Sequence, residues 1–478
     1  MEQWSFPPAY DESYLPAPTS RYWFPRRETI ATAERESAVF ERLKLVCTYA
    51  YEKAPFYRRK WDEAGFQPSK LKSLDDFECV PVVQKLDLRE AQTREPPFGD
   101  YLCIPESEIF HVHGTSGTTG QPTAFAVGRA DWRATANAHA RVMWGMGLRP
   151  GDTICIAAVF SLYMGSWGAL AGAERLGAKC FPFGAGATGM SARLVRWLQL
   201  IKPTAFYWTP TYALHLAQVA EDEQLNPRDF GIKIMFFSGE PGASIPSVRS
   251  RIEGLYGAKV IDSGSMAEMT PWMNVAGSAQ TDGMLCWQDV VYTEVCDPKT
   301  FRRMPYGERG TLVYTHLERT SQPMIRLVSG DLTVWTDEPN PCGRTYPRLP
   351  LGIFGRIDDM FTIRGENVYP SEIDAALNEI ANYGGEHRII ITRQAAMDEL
   401  LLRVEADAAT YAKGEAEIAR FRADVEHKMQ ALLGLRARVD VVNPQSIPRT
   451  DFKARRVIDD RLMFREVQQQ IDRPKDTG

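Results

Sequence analysis

The chain has 478 residues, of which 44% are hydrophobic and 24% charged, and its formal net charge is −5. That length exceeds one core of ordinary size and calls for two or three domains. The composition is globular, the weak negative charge offers no broad field to a nucleic acid, and no apolar run reaches membrane-spanning length.

The N-terminal stretch "MEQWSFPPAYDESYLPAP" is acidic and proline-containing, and residues 1–25 are expected to wrap a surface. It lacks a basic region followed by an apolar core, so no secretory signal is expected. The eight cysteines (47, 79, 103, 155, 180, 286, 296 and 342) are scattered without a C-x-x-C pair. They read as reduced, mostly buried thiols of a cytoplasmic protein. The spacing gives no support to a zinc site built from Cys286, Cys296 and a distant histidine.

In chain order, the apolar positions Ile30, Val39, Leu43 and Val46 predict a helix over 28–64. "SLDDF" (73–77) supplies an N-cap serine followed by acids. "EIFHVH" predicts a short strand, and a helix is expected over 130–146. "GDTICIAA" (151–158), "PTAFYWTP" (203–210), "IKIMFFSG" (232–239) and "GAKVIDSG" (257–264) each read as a strand running into a turn. "GALAGAERLGAKCFPF" (168–183) reads as a small-residue helix, a glycine stop and a strand. Strands alternating with helices predict mainly parallel sheets flanked by helices. A β-rich subdomain is expected over about 281–350. Beyond it the pattern gives helix 370–381, strands 388–392 and 399–405, a charged helix 414–433 and strand 437–443. The fold class is therefore α/β, with a large N-terminal domain (1–356) and a small, mobile α+β C-terminal domain (357–478).

One loop stands out, "HGTSGTTGQPT" from His113 to Thr123. Glycines 114, 117 and 120 permit close backbone approach, and four hydroxyl side chains lie between them. Such a loop either cradles a phosphate or is an ordinary Gly/Thr turn. It is not a P-loop, because Gly114 and Gly120 enclose five residues and Gln121 stands where a lysine is needed. Polar clusters recur at predicted strand ends, where open α/β sheets place ligands: "SGEPG" (238–242), "DSGSMAEM" (262–269) and "SGD" (329–331). "GRIDD" (355–359) and "PRTDFKARRVID" (448–459) follow. Singly each reads as a solvated turn, and their joint order is the informative part.

That order resembles the phenylacetate–CoA ligase family of the adenylate-forming (acyl-CoA synthetase) superfamily, over about residues 30–465. "YAYEKAPFYRRKWDEAGF", "GAERLGA", "TPTYAL", "GRIDDMFTIRGENVYPSEID" and "IPRTDFKARRVID" carry the likeness beside the loop. The resemblance implies an AMP-forming acid–thiol ligase using ATP, Mg²⁺ and coenzyme A on a small carboxylic acid, as a homodimer. Thr115, Ser116, Gly117, Thr118, Thr119 and Gly120 would cradle phosphates, and Gly239, Glu240 and Pro241 would form an adenine-side turn. Glu268 would bind Mg²⁺, Asp331 the ribose, and Arg356 ribose or phosphate. Asp358 would be the hinge and Lys453 the catalytic lysine. Phe160, Tyr163 and Trp208, with Gly184 and Gly186, would line a pocket for an aromatic or arylacetic acid, although Trp208 reads equally well as core. His111 reads as strand filler and His113 as a neighbour of the loop. Two positions depart from the family pattern: Gln121 replaces a lysine, and Gly264 replaces an adenine-stacking aromatic. An acceptor other than coenzyme A (an amine or a carrier-protein thiol), activation of an inorganic oxyanion, and a non-catalytic nucleotide-binding role are the alternatives.

Overall fold

A computed structural model describes residues 6–115, 123–185, 189–264, 266–269, 275–357, 361–363, 366–394, 397–433, 436–447 and 457–459. The chain divides into two units, Met1–Ile353 and Phe354–Gly478.

In the first unit the helix expected over 28–64 is three pieces, Pro25–Thr29, Thr32–Lys53 and Pro55–Glu63. The second break is local chemistry. Ala54 precedes a proline and is driven to extended backbone (φ −107°, ψ 109°), while Pro55 opens the next helix, where its missing N–H costs nothing. "SLDDF" becomes a 3₁₀ turn, Asp75–Cys79. Asp76 organises it, because its carboxylate accepts from the Lys72 and Ser73 amides at 2.9 and 2.8 Å.

The main sheet has eight strands. Their order is Arg348–Leu349, Met284–Cys286, Val275–Ala276, Lys259–Gly264, Ile234–Phe237, Ala205–Trp208, Thr153–Ile156 and Lys179–Pro182. The last five pair in parallel, and the first three add antiparallel. Part of the region expected to be a separate β subdomain therefore extends the α/β sheet. Val291–Cys296, Arg309–His316 and Leu327–Val334 pair antiparallel in a second sheet. The four central strand segments are buried and Val/Ile/Phe-rich, as parallel strands covered on both faces must be.

Topology fixes where a ligand fits. From Thr153–Ile156 the chain crosses to Lys179–Pro182 on one side and then to Ala205–Trp208 on the other. This reversal is a switch point, and the loops leaving the carboxyl ends of its strands diverge to leave a crevice. Those loops carry Phe160, Tyr163, Gly184 and Thr209.

The helix Met164–Leu176 packs closely on Arg129–Gly145. His139 Nδ1 lies 2.6 Å from the Gly168 carbonyl oxygen, and a Cβ built on Gly172 would sit 2.4 Å from His139 Cβ. The small residues of "GALAGA" thus permit the contact. Gly172→Leu is expected to destabilise the fold by about 3 kcal/mol through overpacking, readable as a fall in chemical-denaturation midpoint. Buried Glu28 binds Arg141 and Arg344 at 3.0 and 2.8 Å, tying the N-terminal segment to this layer.

In the second unit Tyr383–Gln394 and Met397–Ala406 form an antiparallel pair. Val457–Asp459 adds parallel to the first and Arg438–Val442 parallel to the second. Ile373 and Leu377 from Pro370–Asn378, and Phe421, Val425 and Met429 from Glu415–Leu433, cover the sheet residues Ile389, Ile391, Leu400 and Leu402.

Candidate active site

Three hydroxyl groups meet at the switch-point crevice. Tyr207, on the strand Ala205–Trp208, has its phenol 2.6 Å from Ser238 Oγ, just past the strand Ile234–Phe237. Tyr163, at the start of the helix Met164–Leu176, places its hydroxyl 3.3 Å from Tyr207 and 3.4 Å from Ser238. Burial pushes the Tyr207 phenol well above its usual range, so it stays a neutral O–H group. Each hydroxyl offers one donor and two acceptor positions, so a closed ring of three retains acceptor capacity for another group.

The surrounding walls are apolar. Trp208 is buried and meets Tyr163 edge-on at 6.0 Å between ring centroids. Phe160 meets Trp167 edge-on at 5.2 Å. Gly184 has φ +64°, and a Cβ there would lie 3.1 Å from Phe160 Cδ2, so glycine suits both the backbone and the space. Gly239 has φ +92°, and a Cβ there would lie 3.8 Å from the Tyr163 hydroxyl. The expected adenine-side turn thus borders the expected acyl pocket. Glu240 next to it accepts the Thr211 amide at 2.7 Å, fixing the turn to the start of the preceding helix Pro210–Asp222, and Pro241 follows.

The loop's two ends are also anchored. The Thr115 amide donates to the Thr123 carbonyl at 3.1 Å, and the Thr123 amide donates to Thr115 Oγ1 at 3.2 Å. The Gly114 amide donates to the Leu162 carbonyl at 3.2 Å, which ties the loop's base to the acyl-pocket segment. Ser116, Gly117, Thr118, Thr119, Gly120 and Gln121 lie outside the described residues, as do Gly186, Asp358 and Lys453. His111 is more than filler, since it stacks on Trp132 at 3.9 Å. His113 is buried, and loss of solvent pulls its imidazole down to about 4, so it is neutral at pH 7.

Glu268 is buried, and its Oε1 lies 3.7 Å from Lys85 Nζ. Arg319 Nη1 donates to the Glu268 carbonyl at 3.1 Å and Nη2 to the Ala126 carbonyl at 2.9 Å, so one guanidinium joins this corner to the strand after the loop. Asp331 is buried on the strand Leu327–Val334 of the second sheet, its amide donating to Ser329 Oγ at 2.9 Å. Arg356 stands on Gly355–Arg356 in the second unit. Gly264 has a packing reason. A Cβ there would lie 2.7 Å from Ile353 Cδ1 and 3.3 Å from Val275 Cγ2, so the side chain of Ile353 fills the space beside it. Burial pushes the neighbouring Asp262 carboxyl up to about 7, against the pull of donors from Ser244 and the Ser263 backbone. Among the described residues no group of three His, Cys, Asp or Glu side chains could hold a metal, the Cys286–Cys296 pair included, and all eight cysteines are free.

Two regions match known family models: residues 55–316 match the AMP-binding enzyme family, and residues 365–461 match the AMP-binding enzyme C-terminal domain. The chain belongs to the adenylate-forming AMP-binding enzyme family. Within it, the chain is a member of the phenylacetate–CoA ligase group and an AMP-forming acid–thiol ligase. It is 32% identical to the phenylacetate-coenzyme A ligase of Thermus thermophilus, over 91% of this chain and 98% of that one. It is 32% identical to the Escherichia coli phenylacetate-coenzyme A ligase, over 90% and 96%. It also resembles the crystal structure of 2-hydroxyisobutyryl-CoA ligase with 2-HIB-AMP in the postadenylation state, with 71% identity, coverage of 98% and 99%, and a TM-score of 0.94. The AMP-forming CoA ligases of this family use ATP, Mg²⁺ and coenzyme A.

Tyr207, Ser238, Lys85 and Arg319 were not singled out by the sequence. Ser238 had one signal, its place at the head of a polar cluster after a strand. Tyr207 had none, since an aromatic in a buried strand reads as core. Lys85 and Arg319 lie far along the chain from Glu268, and only the fold joins them.

Proposed function

We propose that this chain converts a short 2-hydroxy carboxylic acid, of the size of 2-hydroxyisobutyrate, to its coenzyme A thioester. The observation that supports this most is the hydroxyl ring of Tyr163, Tyr207 and Ser238 at the switch point. An aryl ring pressed onto these groups would leave the hydroxyl ring's spare acceptor positions without a donor, which is unfavourable by roughly 1–3 kcal/mol. An acid with an α-hydroxyl supplies that donor. The 71% identity to a 2-hydroxyisobutyryl-CoA ligase supports the same class. The pocket expected to take an aromatic acid is therefore assigned to a smaller, more polar one, with Phe160 and Trp208 as its apolar walls and Gly184 admitting the chain closely.

The reaction has two displacements. A carboxylate oxygen of the acid attacks the α-phosphorus of ATP, the bond to the bridging oxygen breaks, and pyrophosphate leaves. The thiol sulfur of coenzyme A then attacks the acyl carbon, the carbon–oxygen bond breaks, AMP leaves, and the thiol proton passes to solvent. Adenylation is needed because oxide is a poor leaving group and a phosphate monoester is a good one. Thr115 and the loop it opens would bind the phosphates, Gly239, Glu240 and Pro241 would border the adenine, and Asp331 and Arg356 would bind the ribose. Lys453 would place a positive charge on the reacting oxygens, and Asp358 would bend between the two steps. Magnesium fits Glu268 in the manner usual for ATP sites, with one protein carboxylate and the rest of the shell from phosphates and water. When bound it would neutralise charge on the leaving pyrophosphate.

The test is pyrophosphate release with 2-hydroxyisobutyrate, isobutyrate, lactate, benzoate and phenylacetate, each with and without coenzyme A. The hydroxy acids are expected to exceed isobutyrate by about 10-fold or more in kcat/KM, the value of one well-placed hydrogen bond. A preference for phenylacetate over every aliphatic acid would overturn the assignment.

A further inference from the structure

The segment His113–Thr123 contains no lysine or arginine, so it brings no side-chain cation to the phosphates it would hold. The fold brings one from elsewhere. Lys85 is the first residue of the helix Lys85–Arg94, whose start is fixed by a capping box between Gln84 and Asp87. Its ammonium lies 3.7 Å from Glu268 Oε1, and its side chain is 34% exposed. The pairing is unequal in a useful way: the carboxylate is buried, while the lysine reaches it from the solvent side. Arg319 is committed to the backbone carbonyls of Glu268 and Ala126, so its charge is held in the framework. Among the described residues at this corner, Lys85 is the cation on a flexible four-carbon stem.

Resting on the function proposed above, we propose that Lys85 is a phosphate-binding cation of the ATP site, exchanging Glu268 for the β- and γ-phosphates when Mg²⁺–ATP arrives. The exchange is balanced in charge. Before nucleotide binds, Lys85 neutralises the buried Glu268 carboxylate. Once the nucleotide's metal takes that carboxylate, the ammonium is released next to an anion of greater charge. The backbone N–H groups at the capped helix start add a weak favourable field there. Lys85 thereby supplies the charge that Gln121 does not.

Lys85→Met, Lys85→Arg and the double variant Lys85→Met/Gln121→Lys test this in the full-length protein. ATP binding is read directly by calorimetry with a non-hydrolysable ATP analogue, with and without Mg²⁺. Lys85→Met is expected to weaken Mg²⁺–nucleotide binding about 10-fold, Lys85→Arg to retain most of it, and the double variant to regain part of the loss. In turnover, Lys85→Met should lower kcat/KM for ATP by about 10²-fold. It should leave thioester formation from a supplied acyl-adenylate unchanged. The thermal midpoint without nucleotide should shift little, since the ion pair is partly solvated. Unchanged nucleotide affinity in Lys85→Met, or equal losses in the adenylation and thioester steps, would overturn the role. A wild-type protein that binds the analogue but adenylates no acid would overturn the proposed function instead.

Discussion

Tyr163→Phe is expected to lower kcat/KM for 2-hydroxyisobutyrate by roughly 10- to 100-fold while leaving isobutyrate nearly unchanged. The variant removes one hydroxyl from a ring of three and keeps the aromatic face that packs edge-on against Trp208. A hydrogen bond to a substrate hydroxyl in a dry pocket contributes about 1.5–3 kcal/mol, which sets that range. Ser238→Ala removes the second candidate partner and is expected to act in the same direction. The double variant should favour isobutyrate over its hydroxylated analogue, because a hydroxyl then enters a pocket with too few partners. Competition between the two acids in one reaction, with both thioesters quantified, measures the ratio directly. An equal fall for both acids would mean that the ring supports the fold and does not read the α-hydroxyl.

Lys453→Ala should lower adenylation by about 10²–10³-fold, the usual effect of removing one charge-stabilising group from a transition state that gains negative charge at phosphorus. Its effect on ATP affinity should be small, and thioester formation from supplied acyl-adenylate should persist. The distinction from Lys85 is therefore kinetic. Loss of Lys85 is expected to appear in nucleotide binding as well as turnover, whereas loss of Lys453 is expected in the chemical step alone. Rapid-quench measurement of acyl-adenylate formation at saturating ATP separates them. A Lys453→Ala enzyme that forms adenylate at the wild-type rate would remove this lysine from the mechanism.

Much of the architecture was legible in the sequence because its signals are local. Buried strands such as "TICI" and "IMFF" are short apolar runs, the first entered from Gly151–Asp152 and the second leaving into Ser238–Gly239, and the observed strands Thr153–Ile156 and Ile234–Phe237 fall inside the segments expected. Gly177 ends its helix at φ +79°, the left-handed stop that glycine permits. The failures have local causes too. The helical period continues across Ala54–Pro55, so periodicity alone missed a break set by proline sterics. The strands after Thr281 read as β, yet nothing in their pattern says that Met284–Cys286 and Arg348–Leu349 join the parallel sheet. That depends on pairing between strands far apart in sequence.

The site was legible in unequal parts. Motif order placed Glu268 just past the strand Lys259–Gly264, as open sheets require, and the loop between the paired strands Ile109–Gly114 and Ala124–Gly128. Asp331 was expected past a strand end and instead lies inside the strand Leu327–Val334 of the antiparallel sheet. It pointed to an aromatic acid because Phe160, Tyr163 and Trp208 are aromatic, and composition does not say which way a phenol points. The decisive feature is the meeting of Tyr163 and Ser238 on Tyr207, three segments joined by the sheet's reversal. Gly264, which departs from the family pattern, is explained by Ile353, 89 positions further along the chain, filling the neighbouring space.

The most direct measurement is the stoichiometry of a single reaction: purified protein with Mg²⁺, ATP, coenzyme A and 2-hydroxyisobutyrate, followed by quantification of AMP, pyrophosphate and acyl-CoA. One AMP, one pyrophosphate and one 2-hydroxyisobutyryl thioester per ATP consumed is the expected result. ATP left unconverted to AMP with this acid and with every other short hydroxy acid offered would contradict it.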